Sequence, residues 1–146
     1  MSKKTFKPFS QMTLKHFFTQ IYRTVRFGSK PIIDKKTYIY TSNKISLAAN
    51  QHIADSIEDI LEHYNRIKIG KTGYPKKRVD YEDYRKSPYE MMFLILKSKD
   101  RTIISHYEAL FINEFYDVND NKSQKSGGYM RTKDGYFYLY VVVANQ

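Results

Sequence analysis

The sequence contains no cysteine and no tryptophan among its 146 residues. Without a thiol there is no disulfide framework, no thiolate zinc site and no cysteine nucleophile. No long hydrophobic run exists either. The longest, 137–144, is too short to span a bilayer. The basic N-terminus is not followed by an apolar segment of the kind a signal peptide needs, so a soluble intracellular protein is expected. Several site signatures are also missing. His16, His52, His63 and His106 show neither HExxH nor Cys/His ligand spacing, and the glycines form no P-loop, GxGxxG fingerprint or GxSxG elbow. No repeat or low-complexity segment is present.

What the chain does have is a core. Hydrophobic residues make up 41% and aromatic residues 16%, too much for a disordered chain. Fourteen Tyr and nine Phe make that core tyrosine-heavy. The length suits one domain, large enough to fold without disulfide or metal staples.

Charge is uneven. The formal net charge is +10. Residues 1–36 carry nine basic side chains and one acid, Asp34, whereas residues 37–146 are nearly balanced. A basic arm on a near-neutral domain is the footprint of a polyanion partner, most commonly nucleic acid. A solubilising tail is the alternative. Within the arm, residues 10–27 have the spacing of an amphipathic helix. Leu14, Phe17, Phe18, Ile21, Tyr22 and Val25 fall on one side, while Lys15, Arg23 and Arg26 gather on another.

Residues 37–41 form a β-branched and aromatic run that predicts a strand. Ser46 then caps a helix reaching about residue 64, with Ile53, Ile57, Ile60 and Leu61 on its apolar face. Its acids, Asp55, Glu58, Asp59 and Glu62, predict a solvated face. Residues 66–71 predict a strand and 75–84 a short helix opened by Pro75. The run 89–96 predicts a strand buried on both faces. Asp100 caps a helix to about residue 116, and 118–128 predicts a loop. Residues 129–132 and 136–143 flank Lys133-Asp134-Gly135, a hairpin signal. The expected fold class is α+β: a small mixed sheet of three to five strands with flanking helices and an N-terminal basic helix.

One constellation carries chemistry. Tyr38-Ile39-Tyr40 lies on one predicted strand and Lys68-Ile69-Gly70-Lys71-Thr72 on the next. Arg78 lies ten residues beyond Lys68, and Glu108 sits in the helix after 100. This arrangement resembles the GIY-YIG nuclease family, in the phage and large-DNA-virus branch with a KIGxT second motif. The resemblance covers about residues 37–116. It divides the chain into an arm, 1–36, and a GIY-YIG-like domain, 37–146. That domain has a core of 37–116, a helical insertion at 46–64 and a C-terminal hairpin at 129–143.

The resemblance implies a tyrosine on each of two paired strands, with Tyr40 matching the first and Lys68 standing in place of the second. It implies that Arg78 clamps the phosphate and that Glu108 binds one Mg²⁺ or Mn²⁺ ion. Tyr40 or Lys68 would orient or deprotonate the attacking water. Asn119 and Asn121 are candidates for the family's late asparagine. Tyr38 replaces the first motif's glycine, and 27 residues separate Tyr40 from Lys68, so the hairpin must carry the helical insertion. Lys15, Arg23, Arg26, Lys71, Lys76 and Lys77 are the candidate nucleic-acid contacts. The chemistry is consistent in itself: phosphodiester cleavage needs an activated water, a metal and a cation on the phosphoryl oxygens.

The function this implies is a divalent-metal-dependent endonuclease acting on DNA, in the cytoplasm or nucleus or encoded by a virus or phage. The alternative is a catalytically inactive GIY-YIG-like module that binds nucleic acid or serves structurally, for example in a virion. A protein-interaction domain with a solubilising tail is the third reading.

Overall fold

A chain with two long apolar runs, 91–96 and 137–143, has to bury both faces of two strands, and that demand sets the fold. A computed structural model describes residues 30–85, 87–121 and 130–145. Its elements, in chain order, are β1 (Ile32–Asp34), β2 (Tyr40–Thr41), α1 (Leu47–Leu61), β3 (Arg66–Thr72), α2 (Pro75–Arg78), α3 (Glu82–Arg85), β4 (Met91–Ser98), α4 (Arg101–Glu114) and β5 (Phe137–Ala144). The protein is α+β, with a mixed five-stranded sheet and flanking helices. The expected helix at 10–27 lies outside the described residues.

The sheet order is β1-β4-β5-β3, and β2 also pairs with β4. The two apolar runs are thus the interior strands, with neighbours on either side. β1 and β2 run parallel to β4 along the same edge, with Ile32 opposite Met91 and Tyr40 opposite Leu96. Between them Asp34 turns the chain out of the sheet. Its Oδ1 accepts from the backbone N–H groups of Lys36 and Thr37, each at 2.9 Å. β5 runs antiparallel to both β4 and β3. A bulge between Leu94 and Leu96 shifts the β4 register.

Alternation of side chains gives the sheet two apolar faces. On one, Ile67, Ile69, Phe93, Ile95, Leu139, Val141 and Val143 pack beneath α1 and α4. On the other, Met92, Leu94, Tyr138, Tyr140 and Val142 meet Val79, Tyr84 and Tyr89 around α2 and α3. Both long helices are capped as their sequence requires. Ser46 Oγ accepts from Ala49 N, and Asp100 Oδ1 accepts from Thr102 N.

Several expectations change. The strand at 37–41 shrinks to Tyr40–Thr41, and β1 lies inside the stretch assigned to the arm, so the fold begins before residue 36. The helix at 75–84 is two short helices, α2 and α3. Lys133-Asp134-Gly135 makes a turn, with Gly135 at φ 86°. Among the described residues no hairpin follows: Thr132 bridges to Gly73 rather than to β5. The largest correction concerns pairing. β2 and β3 are not partners, so α1 is no insertion in a hairpin. It is the connection that carries the chain past β4 and β5, from one edge of the sheet to the other.

Candidate functional site

β3 alternates polar and apolar residues because it is an edge strand. Ile67 and Ile69 point into the core under α1 and α4, which sends Lys68 and Gly70 to the opposite face and Lys71 back toward α4. The outer edge of β3 is held by a side chain. Asn121 Oδ1 accepts from Ile69 N at 3.0 Å, and Asn121 Nδ2 donates to Ile69 O at 2.8 Å. One residue past the strand, Gly73 passes so close to the 131–132 backbone that a Cβ there would lie 1.9 Å from the Arg131 carbonyl oxygen. Around this edge opens a cavity of about 910 Å³.

Lys68, Arg78 and Glu108 all line it, with Lys71, Lys77, Arg131 and Lys133. Six cationic side chains thus surround one acid, Glu108, among the described residues. Arg78 and Glu108 come from opposite sides of the sheet and meet at the β3 edge. The expected contact Lys77 is on the wall, whereas Lys76, the residue before it on α2, is exposed and not part of the wall. Lys15, Arg23 and Arg26 lie outside the described residues.

On the α2 side, Arg78 is gripped. Its Nη1 and Nη2 donate to the two carboxylate oxygens of Asp83, each at 2.9 Å. The guanidinium lies 4.2 Å from the centre of the Tyr84 ring and 5.2 Å from that of Tyr81. Burial, the largest single cause, works to lower its basicity, but the bond to Asp83 and the electrostatic effect of Tyr140, Tyr84 and Asp83 together outweigh it, and the net shift is upward. Arg78 in turn holds the Asp83 carboxyl below its ordinary value. Lys68 Nζ stands 5.4 Å from the centre of the same Tyr84 ring. The Tyr84 and Tyr140 hydroxyls are hydrogen-bonded at 2.9 Å. Burial is the largest cause pushing both phenols up, so both stay protonated at neutral pH.

On the α4 side, Glu108 is buried, 6% exposed. Its Oε1 lies 3.7 Å from Lys71 Nζ, which donates to Ser105 Oγ at 2.9 Å. The metal implied by the resemblance needs oxygen ligands. Among the described residues no three His, Asp or Glu side chains come together. A single carboxylate facing a water-accessible cavity is still a donor that Mg²⁺ accepts when water and substrate phosphate complete its shell. Glu108 fits that role, and Lys71 competes for the same oxygen.

Tyr40 is elsewhere. It sits on β2 opposite Leu96, at the far edge of the sheet, with its ring stacked on His52 at 4.8 Å. The strand paired with β3 is β5, so the tyrosine beside the KIG segment is Tyr140, directly opposite Gly70. A Cβ on Gly70 would lie 2.4 Å from the Tyr140 ring, so glycine is what lets that ring cover the strand. Sequence reasoning missed Tyr140, Tyr84 and Asp83. The signal for Tyr140 was present in the continuous apolar run around it, since an interior strand has two neighbours. Of the two asparagines, Asn121 reaches the cavity, while Asn119 donates its amide to the carbonyls of Ile112 and Phe115. Compared with family models, curated proteins and solved structures, the chain matches none.

Proposed function

We propose that the cavity at the β3 edge binds a nucleic-acid phosphate and that the protein is a divalent-metal-dependent endonuclease acting on DNA. The observation that supports this reading is the meeting of Lys68, Arg78 and Glu108, from three separate elements, in one strongly cationic cavity. Arg78 presents a planar fork suited to phosphoryl oxygens, and Tyr84 together with Asp83 fixes its plane. Lys68 adds a second cation on the same side. With Tyr40 remote, orienting the attacking water falls to Lys68 at Nζ, which as an ammonium donates a hydrogen bond to the water and takes no proton from it. Tyr84 and Tyr140, protonated at neutral pH, act as hydroxyl donors or acceptors and not as bases. Glu108 would hold one Mg²⁺ or Mn²⁺, which when bound neutralises charge on the phosphate and lowers the pKa of water.

A second reading keeps the binding and omits the cleavage. Two ion pairs favour it: Asp83 takes both outer nitrogens of Arg78, and Lys71 faces the carboxylate a metal would need.

Nicking of supercoiled plasmid with Mg²⁺ or Mn²⁺, against an EDTA control, separates the two. The expected outcome is that Arg78→Ala lowers the rate by about 10²–10³. Glu108→Gln abolishes nicking and leaves DNA affinity nearly intact. Circular dichroism checks that this variant, which loses a buried charge beside Lys71, still folds. Wild-type protein that binds DNA and never nicks under either metal establishes the binding module instead.

A further inference from the structure

We infer that the cavity takes an unpaired nucleotide, with Tyr74 and Tyr81 as the surfaces on which its base and a neighbouring base stack. The inference rests on the nucleic-acid reading above and narrows it to a substrate class. Both tyrosines are on the cavity wall, one on each side of α2. Tyr81 is 49% exposed, one of the few large apolar side chains left in the open among the described residues. Each ring has a cation beside it. Lys133 Nζ lies 4.9 Å from the centre of Tyr74 and 3.1 Å from its hydroxyl, and the Arg78 guanidinium lies 5.2 Å from the centre of Tyr81.

A flat ring next to a phosphate-seeking cation is the complement of a nucleotide, which joins a π face to a phosphate. In a duplex the bases stack on one another and show only their edges in the grooves, so a protein ring finds no face to cover. An unpaired base offers its whole face, and stacking on an aromatic side chain is tolerant of sequence. The cavity has a volume of about 910 Å³. It lies in the upper part of the range of pockets that enclose a small organic ligand.

Fluorescence anisotropy of the full chain tests this with three DNA probes: an oligothymidylate strand, a blunt duplex of equal phosphate count, and the same duplex with a single-stranded tail. The expected result is tighter binding to the strand and the tailed duplex than to the blunt duplex. Tyr81→Ala and Tyr74→Ala should each weaken strand binding by roughly 5- to 150-fold. Tyr81→Phe should restore it, because the ring and not the hydroxyl is used. Salt-sensitive binding that is equal for all three probes, or strand affinity untouched by Tyr81→Ala, overturns the inference and leaves the phosphate-binding reading intact. No binding to any probe, or binding indifferent to salt and to Arg78→Ala, overturns both.

Discussion

Gly70 shows how a single missing side chain can organise a site. Its place opposite Tyr140 lets a phenol ring lie flat across β3 and reach the Tyr84 hydroxyl. Tyr140 is 2% exposed, so its ring has nowhere to swing if a methyl group appears beneath it. Gly70→Ala therefore forces either the ring or the strand to move. The expected cost is about 1–3 kcal/mol, the usual range for overpacking a filled core. Thermal denaturation checks it, and an unchanged midpoint would show that Tyr140 does not depend on this gap. The KIG spelling of the motif was plain in the sequence, but the reason for its glycine was not. That reason is a ring supplied by a strand about 70 residues further along.

At the scale of elements, the site depends on how the free edge of β3 is finished. An edge strand leaves backbone donors and acceptors without a neighbour. Here the Asn121 amide satisfies both polar atoms of Ile69, and Asp120 N donates to Ile67 O at 2.7 Å. The segment after α4 thus substitutes for a sixth strand and closes one wall of the cavity. Asn121→Ala removes two hydrogen bonds at once and should destabilise the fold by about 1–3 kcal/mol. It should also raise hydrogen exchange at the Ile69 amide, a local effect that a general loss of stability would not single out. The helices were legible because amphipathic spacing and caps are local: Ser46 and Asp100 both cap as their positions imply. Asn121 was legible only as loop, because its role is a contact with a strand 52 residues away.

For the whole molecule, the abundance of tyrosine has a consequence at alkaline pH. Tyr38, Tyr84, Tyr89 and Tyr140 all have phenols pushed above the ordinary value, burial being the largest cause in each. Tyr138 is pushed up to about 12, by burial first and then by its bond to Asp134. A group whose folded pKa exceeds its unfolded value stabilises the fold below the unfolded pKa, about 10 for tyrosine, and loses that contribution as pH rises through the folded pKa. Stability should therefore be level through neutral pH and fall between about pH 10 and pH 12, within the span set by Tyr138 and the unfolded phenol. The check is denaturant titration at a series of pH values, with tyrosinate absorbance followed alongside. Ionisation of all fourteen tyrosines near pH 10 with no loss of structure would contradict the burial pattern.

The sequence by itself determined the α+β class, the capped helices, the interior strand at 91–96 and the cationic character of the chain, because each follows from residues within a few positions of one another. It also placed Lys68, Arg78 and Glu108 on the elements where they are found. Only the tertiary structure decided which strands are neighbours. Successive strands read as partners, yet β2 is two residues long and lies against β4, while β3 lies against β5. Pairing is chosen by which faces and edges need cover: two fully apolar strands must both be interior, and the short polar-flanked segments are left at the edges. That choice moved Tyr40 to the far side of the sheet and put Tyr140 beside Gly70, a placement that no local spacing encodes.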